Sequence, residues 1–195
     1  IPATALSLHQ NRKKALPDFI RKIEETLSRL EMKNTRVRVQ LNHGEKLLKN
    51  GLDELEFKIS SDKGATFEKI GRIASGGEMS RLMLAVKFIL SEYASLPAII
   101  FDEIDTGVSG EVSNRIADLL LRMSANMQVI SITHLPQVAS KGQQHYMVFK
   151  SEEGASVSTN IKRLSDDERL VHLAEMLSGS QVTDSALAHA KQLLS

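Results

Sequence analysis

Two adjacent acids, Asp102 and Glu103, directly follow the apolar residues 98–101. A short apolar run of this kind predicts a strand that is buried on both faces. Acids at the carboxyl end of such a strand lie at the edge where open α/β sheets bind ligands. Asp102 could hold Mg²⁺ through water, and Glu103 could orient or deprotonate an attacking water. The alternative is a solvated strand end that carries no chemistry.

A second pattern, Ala-Ser-Gly-Gly-Glu at residues 74–78, directly precedes a predicted helix. The free N–H groups at a helix start attract anions, and the helix dipole adds to this attraction. Gly76 and Gly77 would let a phosphate approach the backbone, and Ser75 offers both an N-cap and a hydroxyl donor. Taken alone, this pattern, which ends at Glu78, also fits an ordinary capped helix with a flexible lead-in.

Two further patterns follow the acids along the chain. Residues 105–110, Asp-Thr-Gly-Val-Ser-Gly, form a loop between a predicted strand and a predicted helix. Thr133 and His134 end the next predicted strand. A lone histidine in a loop is usually only a surface residue. Here His134 would lie at the same sheet edge as Glu103, one strand away, which favours a functional role.

Strands and helices alternate around these patterns, and this order predicts a parallel α/β sheet. The first of these helices is expected over about residues 77–93, with an apolar side formed by Met79, Leu82, Val86, Ile89 and Leu90. Another helix should follow Gly110, and the next strand should cover residues 128–133. Beyond these we expect strands at 144–150 and 156–164 and helices near 166–177 and 184–194.

The first part of the chain predicts one helix and two strands. Apolar residues with alternating spacings of 4 and 3 form a heptad seam, made of Leu16, Ile20, Ile23, Leu27 and Leu30. Pro17 predicts that the helix kinks or starts there, and His9 and Lys13 interrupt the seam upstream. The helix is either packed on its own domain or the end of a coiled-coil arm. Alternation at 37–41 and 55–59 predicts two strands, each with one buried face.

Composition narrows the class of protein. The chain has 195 residues, 42% hydrophobic and 25% charged, which fits a soluble domain with a real core. It has no cysteine, so a disulfide framework and a thiolate metal site are excluded. No apolar run approaches the roughly 18 residues of a membrane span. Residues 1–40 hold nine Lys or Arg and four Asp or Glu; this segment could contact a phosphate backbone or form a solvated helix face.

The order of the four patterns resembles the second half of an ABC-type ATPase. Residues 74–78 look like the signature motif, 101–103 like the end of Walker B, 105–110 like the D-loop and His134 like the switch histidine. The wording Ile-Ala-Ser-Gly-Gly-Glu-Met-Ser-Arg, Phe-Asp-Glu-Ile-Asp-Thr-Gly-Val-Ser-Gly and Thr-His-Leu-Pro-Gln-Val-Ala resembles the RecN family within the SMC-like branch. The match is strongest over residues 73–140.

The resemblance implies a P-loop NTPase-like ATPase head. Residues 1–33 would be the end of a coiled-coil arm, and residues 34–195 the C-terminal lobe, a parallel sheet flanked by helices. Ser75, Gly76, Gly77 and Glu78 would bind an ATP molecule held by the opposite protomer, with Ser75 and Gly77 at its γ-phosphate.

The other motif residues also receive roles from the resemblance. Asp102 would support Mg²⁺, Glu103 would act on the hydrolytic water, and His134 would sense the γ-phosphate. The D-loop, with Asp105, Gly107 and Ser109, would cross the dimer interface. This loop reads Gly-Val-Ser where many relatives have Ala-Leu-Asp, so the aspartate contact of those relatives is in question here.

The chain has no Gly-x-x-x-x-Gly-Lys-[Ser/Thr] sequence, the Walker A loop that cradles the β- and γ-phosphates. The family has this loop in an N-terminal lobe, so we expect a fragment that binds ATP weakly, if at all, and does not hydrolyse it alone. The implied partners are that lobe, a second head in an ATP-dependent dimer, and DNA at double-strand break ends. The expected location is the bacterial cytoplasm, at the nucleoid and not at a membrane.

Other functions fit single features of the sequence. The Asp-Glu-Ile-Asp run at 102–105 also occurs in helicase-type motors, but such a motor leaves residues 75–78 unexplained. An ABC transporter subunit usually has Pro where this chain has Ile104. A non-enzymatic dimerisation or DNA-contact module is the remaining alternative.

Overall fold

The computed structural model describes residues 2–62, 64–72, 76–102, 104–105, 107–108, 110–153, 156–179 and 181–195. The chain forms two compact units. The first contains residues 1–96 together with 106–108, and the second contains residues 97–105 together with 109–195. Among the described residues, no helix is both long and apolar enough to span a membrane.

The first unit is a helix pair with a small antiparallel sheet. Its elements are α1 (Pro2–Arg29), β1 (Arg36–Leu48), β2 (Gly51–Ser60), β3 (Glu68–Lys69) and α2 (Gly76–Tyr93). The strands pair in the order β1-β2-β3, and α1 packs against β1, β2 and α2.

Helix α1 runs through Pro17, so it does not start at that residue. The second half of the predicted seam is fully buried, with Ile23, Leu27 and Leu30 at 0% exposure. Because α1 packs on the sheet and on α2, this half of the seam is covered within its own unit.

The two strands predicted around residues 37–41 and 55–59 are confirmed, and they pair as a hairpin with Val37 opposite Ile59. Both of these side chains are buried. The expected buried face does not extend to Leu55, which is 47% exposed. Two residues away on the same strand face, Asp53 is buried instead, at 3%.

Asp53 is buried together with polar partners. His9 Nδ1 lies 2.7 Å and His43 Nδ1 3.4 Å from its Oδ1, and Arg12 donates to its Oδ2 at 2.9 Å. Burial alone would raise the pKa of the Asp53 carboxyl, but the hydrogen bonds from His9, Arg12 and His43 outweigh it and lower the pKa to about 2. His9, which interrupts the heptad seam, therefore has a structural partner 44 residues away.

Helix α2 is confirmed over nearly the predicted range, but its buried face differs from the expected one. Leu82 and Ile89 are buried as predicted, whereas Leu90 is 47% exposed, and Leu84 and Phe88 are buried in its place. Apolar residues occupy most of the circumference of this helix, so its sequence offers two overlapping faces. The buried face of α2 is rotated roughly a quarter of a turn about the helix axis from the predicted buried face.

The described residues of the second unit form two separate sheets and four helices. Its elements are β4 (Ala98–Asp102), α3 (Glu111–Ser124), β5 (Gln128–Ile132), α4 (Pro136–Lys141), β6 (Tyr146–Glu153), β7 (Ser156–Arg163), α5 (Asp166–Ser178) and α6 (Asp184–Leu194). β4 and β5 form a parallel pair, and β6 and β7 form an antiparallel hairpin.

The parallel arrangement predicted for the strands that carry the motifs is confirmed. The expectation that β4 is buried on both faces is wrong for this chain. Phe101 is 1% exposed, but Ile100 on the other face is 61% exposed, and Ile130 and Ile132 of β5 are exposed beside it. The reason is that β5 is the only described strand that pairs with β4, and β6 and β7 pair with each other instead.

The helices of this unit follow their sequence signals closely. In α3, the apolar residues Ile116, Leu119, Leu120 and Met123 are buried, with the spacing of a helix that packs on one side. Helix α5 starts with a capping box, in which the Ser165 hydroxyl accepts from the Glu168 N–H and the Glu168 carboxylate accepts from the Ser165 N–H. Leu173 of α5 packs in a small core with α6.

Candidate functional site

The carboxyl ends of β4 and β5 lie level with each other. The two strands pair in register from Ala98 opposite Gln128 to Asp102 opposite Ile132. Asp102 is exposed at the last paired position, and Thr133 and His134 directly follow the end of β5. The sequence-predicted placement of Asp102 and His134 at one sheet edge therefore agrees with the observed register.

A buried carboxylate connects these two strand ends. The Asp105 side chain is 1% exposed, and the Thr133 hydroxyl donates a hydrogen bond to its Oδ2. Its Oδ1 lies 3.9 Å from Nδ1 of His134 and accepts no hydrogen bond from the described residues. The sequence predicts that Asp105 lies in a loop, and nothing in the spacing of its neighbours indicates that its side chain is buried beside the predicted switch histidine.

Thr133 joins this carboxylate to the next helix. Its Oγ1 donates to Asp105 and accepts from the Leu135 N–H at 3.0 Å, directly before α4. The His134 side chain is 65% exposed, so its imidazole is open to solvent while its neighbour is held in place. A fixed backbone with an exposed imidazole at a sheet edge can contact a ligand that approaches from outside.

The glycine-rich start of α2 belongs to the first unit. The helix begins at Gly76, and Glu78 in its first turn accepts a hydrogen bond from the Ser61 hydroxyl at 3.0 Å. A side chain at Gly76 would meet no atom of the described residues within 4 Å. Gly77, which follows it, is partly exposed in the same turn.

Two glycines of the predicted D-loop have backbone conformations that favour glycine. Gly107 has φ +71°, and Gly110, at the N-cap of α3, has φ +57°. These angles lie in the left-handed region, which L-residues rarely adopt. Ser75, Glu103 and Ser109 of the predicted site lie outside the described residues.

Sequence comparisons give a consistent set of relatives. No family model matches the chain. It is 38% identical over 187 residues to the DNA repair protein RecN of Halalkalibacterium halodurans, covering 94% of this chain and 33% of that protein. It is 36% identical to the RecN of Haemophilus influenzae, covering 98% and 35%. It is 42% identical to the RecN of Bacillus subtilis over 76% of this chain and 26% of that protein. The chain thus spans about a third of the length of the curated relatives it matches.

Solved structures show the same fold. The Smc head domain with a coiled coil and joint from Pyrococcus yayanosii aligns with a TM-score of 0.63 at 23% identity, over 84% of this chain and 30% of that one. A chain described under ATP-driven dimerization and DNA-stimulated activation of SMC ATPases aligns with a TM-score of 0.57 at 21% identity, over 89% of this chain and 99% of that one. These alignments show that the chain shares the α/β fold of those structures.

Proposed function

We propose a function from one premise: the chain is related to the RecN DNA repair proteins and has the α/β fold of an SMC-like ATPase head. The proposed function is that of the part of such a head that supplies the signature motif, Walker B, the D-loop and the switch histidine to composite ATP sites. In this proposal the complete protein hydrolyses ATP and acts in the repair of DNA double-strand breaks.

The observation that carries the proposal is the shared edge of β4 and β5. In-register parallel pairing brings the end of the Asp102 strand level with the strand that leads into His134. The hydrogen bond between Asp105 and Thr133 links the segments that follow the two strands. Ligands of open parallel sheets bind at such an edge, so acids and an imidazole gathered there support nucleotide chemistry.

The side chains at this edge have the donors that an ATP site needs. Asp102 is an exposed carboxylate, an oxygen ligand of the type that Mg²⁺ prefers, so it fits the proposed role of holding that ion, directly or through water. Bound there, Mg²⁺ would neutralise charge on the phosphate oxygens. Glu103, next in the chain, would orient and deprotonate the attacking water, and His134 would contact the γ-phosphate.

The start of α2 would act on a different ATP molecule, one held by the opposite protomer. The N–H groups at the start of an 18-residue helix suit a phosphate, and no atom of the described residues fills the space where a side chain at Gly76 would lie. Ser75 and Gly77 would contact the γ-phosphate, and Glu78, bound to Ser61, would keep the first turn in place. Ser109 and Gly107 would lie in the loop that crosses between heads.

The remaining partners follow from the same proposal. The exposed apolar face of Ile100, Ile130 and Ile132 suits cover by further protein, and we assign it to the N-terminal Walker A lobe of the same protein. DNA would be engaged through the complete, dimeric protein. Its place would be the bacterial cytoplasm, at the nucleoid.

The test is a Glu103→Gln substitution in the full-length protein. Removing the base should lower the ATPase rate by at least about 100-fold and trap an ATP-bound dimer, because phosphate contacts remain while water activation is lost. Glu111→Gln, which removes an exposed carboxylate at the start of α3, is the matched control and should leave the rate unchanged. An unchanged rate in Glu103→Gln would exclude Glu103 as the base.

A second test concerns the 195-residue chain alone. Since it contains no Walker A sequence, we expect weak ATP binding, if any, and no hydrolysis. Isothermal titration with ATP and Mg²⁺ checks this. Binding at micromolar concentrations would contradict the proposal that tight ATP binding needs the Walker A loop of the N-terminal lobe.

A further inference from the structure

Three side chains capable of binding a metal converge in the first unit, on elements that carry none of the nucleotide motifs. They are His9 on α1, His43 on β1 and Asp53 on β2, and their ligand atoms all lie within 4.8 Å of one another. Both histidines face the same oxygen of Asp53, with Nδ1 of His9 at 2.7 Å and Nδ1 of His43 at 3.4 Å. The cluster therefore presents two imidazole nitrogens and one carboxylate oxygen to a single point.

This set of donors suits a borderline divalent transition metal. Two imidazoles and a carboxylate are a common ligand set of Zn²⁺, and three protein ligands leave a fourth position for water. Tetrahedral bonds of about 2.1 Å require ligand atoms roughly 3.4 Å apart. The Asp53–His43 pair already has that spacing, and the shorter Asp53–His9 pair would have to open by less than about 1 Å.

The surroundings of Asp53 orient it for this role. Arg12 donates to Oδ2 at 2.9 Å and to the Asn50 carbonyl at 2.8 Å, which fixes the carboxylate and leaves Oδ1 directed at the two imidazoles. The Asp53 side chain is 1% exposed while that of His43 is 47% exposed, so an ion can enter from the His43 side. The nearby positive charge of Arg12 opposes a cation, so the affinity should be moderate.

We propose that His9, His43 and Asp53 form a divalent metal site, with Zn²⁺ as the best-fitting ion, that links α1 to the β1–β2 hairpin. The site is independent of the proposed ATP site.

The experiment is a titration of the tag-free 195-residue chain with ZnCl₂, followed by isothermal calorimetry in a buffer that does not chelate metals. We expect one Zn²⁺ per chain. His9→Asn and His43→Asn should each weaken binding at least about tenfold, because each removes one of three ligands. His189→Asn is the matched control: this histidine is exposed on α6, in the second unit, and its removal should change nothing.

Cobalt gives a second measurement that reports geometry. Co²⁺ bound by the wild-type chain should show the intense visible absorption of four-coordination, and His43→Asn should lose it. His43 is about half-exposed, so its replacement should leave the fold intact, which circular dichroism verifies. No saturable binding up to about 100 µM zinc, or equal binding by wild type and a folded His43→Asn chain, overturns the site.

Discussion

Each of the two units buries one aspartate almost completely, and the two carboxylates have different hydrogen-bond partners. The side chains of Asp53 and Asp105 are both 1% exposed. Asp53 has three partners from α1 and β1, among them a guanidinium. Asp105 has one hydroxyl partner, Thr133, and an exposed imidazole 3.9 Å away.

The difference separates a carboxylate that joins structural elements from one that lies at the edge of the proposed ATP site. A buried charge without sufficient partners is costly, so the loss of one member of a well-paired buried group destabilises the elements that carry it. Asp53 links α1 and the hairpin in this way. Asp105 has an oxygen that accepts no hydrogen bond from the described residues, and it lies at the edge where the sequence predicts chemistry. Incomplete satisfaction of this kind is more common at functional sites than in a core.

The largest expected effect is the loss of Asp53. Asp53→Ala leaves Arg12 without its buried partner and removes the hydrogen bonds of both histidines. We expect the melting temperature of the chain to fall by about 10 °C. Asp118→Ala, an exposed position on α3, is the control and should change it by less than about 2 °C. Equal melting temperatures for Asp53→Ala and wild type would show that the contacts of Asp53 do not stabilise the first unit.

The second prediction measures how strongly Asp105 is coupled to the strand end. Asp105→Ala leaves the Thr133 hydroxyl without its acceptor and should cost about 1–3 kcal/mol of unfolding free energy. Thr133→Val should also destabilise the chain, since the Leu135 N–H loses its acceptor. Urea unfolding of both single variants and the double variant should give a coupling of about 1 kcal/mol. Additive effects would mean that the two side chains do not act together.

The same two aspartates show what a sequence can predict. The β4–β5 edge follows from local patterns, because apolar runs define the strands and parallel pairing brings their carboxyl ends together. Asp102 and His134 could therefore be assigned to one edge. The burial of Asp105 could not, because a loop that contains two glycines gives no period from which the direction of a side chain can be inferred.

The partners of Asp53 are even harder to predict from the sequence. His9 and Asp53 are 44 residues apart, and their meeting depends on how α1 lies across the hairpin, which no local pattern encodes. The same limit applies to Pro17, whose ring interrupts a helical hydrogen bond but does not end α1, because the helix is held by packing on both sides of it. Periodicity alone predicts that Leu55 and Leu90 lie on buried faces. Whether they are buried depends on which other elements pack against their strand or helix.

The third prediction tests the close approach of α1 to the hairpin beside Asp53. Gly51 has φ +104°, and a side chain there would lie 3.1 Å from Leu8 of α1. Gly51→Ala should cost about 2 kcal/mol, part from the backbone angle and part from the contact. Gly64→Ala is the control, because Gly64 has φ +85° but no atom of the described residues within 4 Å of an added side chain. Equal losses in urea unfolding would show that Leu8 does not restrict this position, and Leu8→Ala should remove any excess.

The smallest expected effect belongs to a third carboxylate, Glu168, which lies at the surface of the second unit. The Lys162 ammonium, followed by the Ser165 backbone N–H, lowers the pKa of Glu168 from 4.5 to about 2. A depressed pKa means that the unfolded chain binds the proton more readily, so the stabilising contribution of Glu168 is complete above pH 4.5 and is lost as the pH falls toward 2. The unfolding free energy of Glu168→Gln should therefore depend less on pH between pH 4.5 and 2 than that of wild type. Lys162→Met should reduce this pH dependence by a smaller amount, because the Ser165 N–H still donates to the Glu168 carboxylate. Unfolding curves recorded through this window test the order. If Lys162→Met removes as much of the pH dependence as Glu168→Gln does, the hydrogen bond of the capping box does not lower the pKa of Glu168. An exposed carboxylate would then depend on a single ion pair, unlike Asp53, which has partners from several elements.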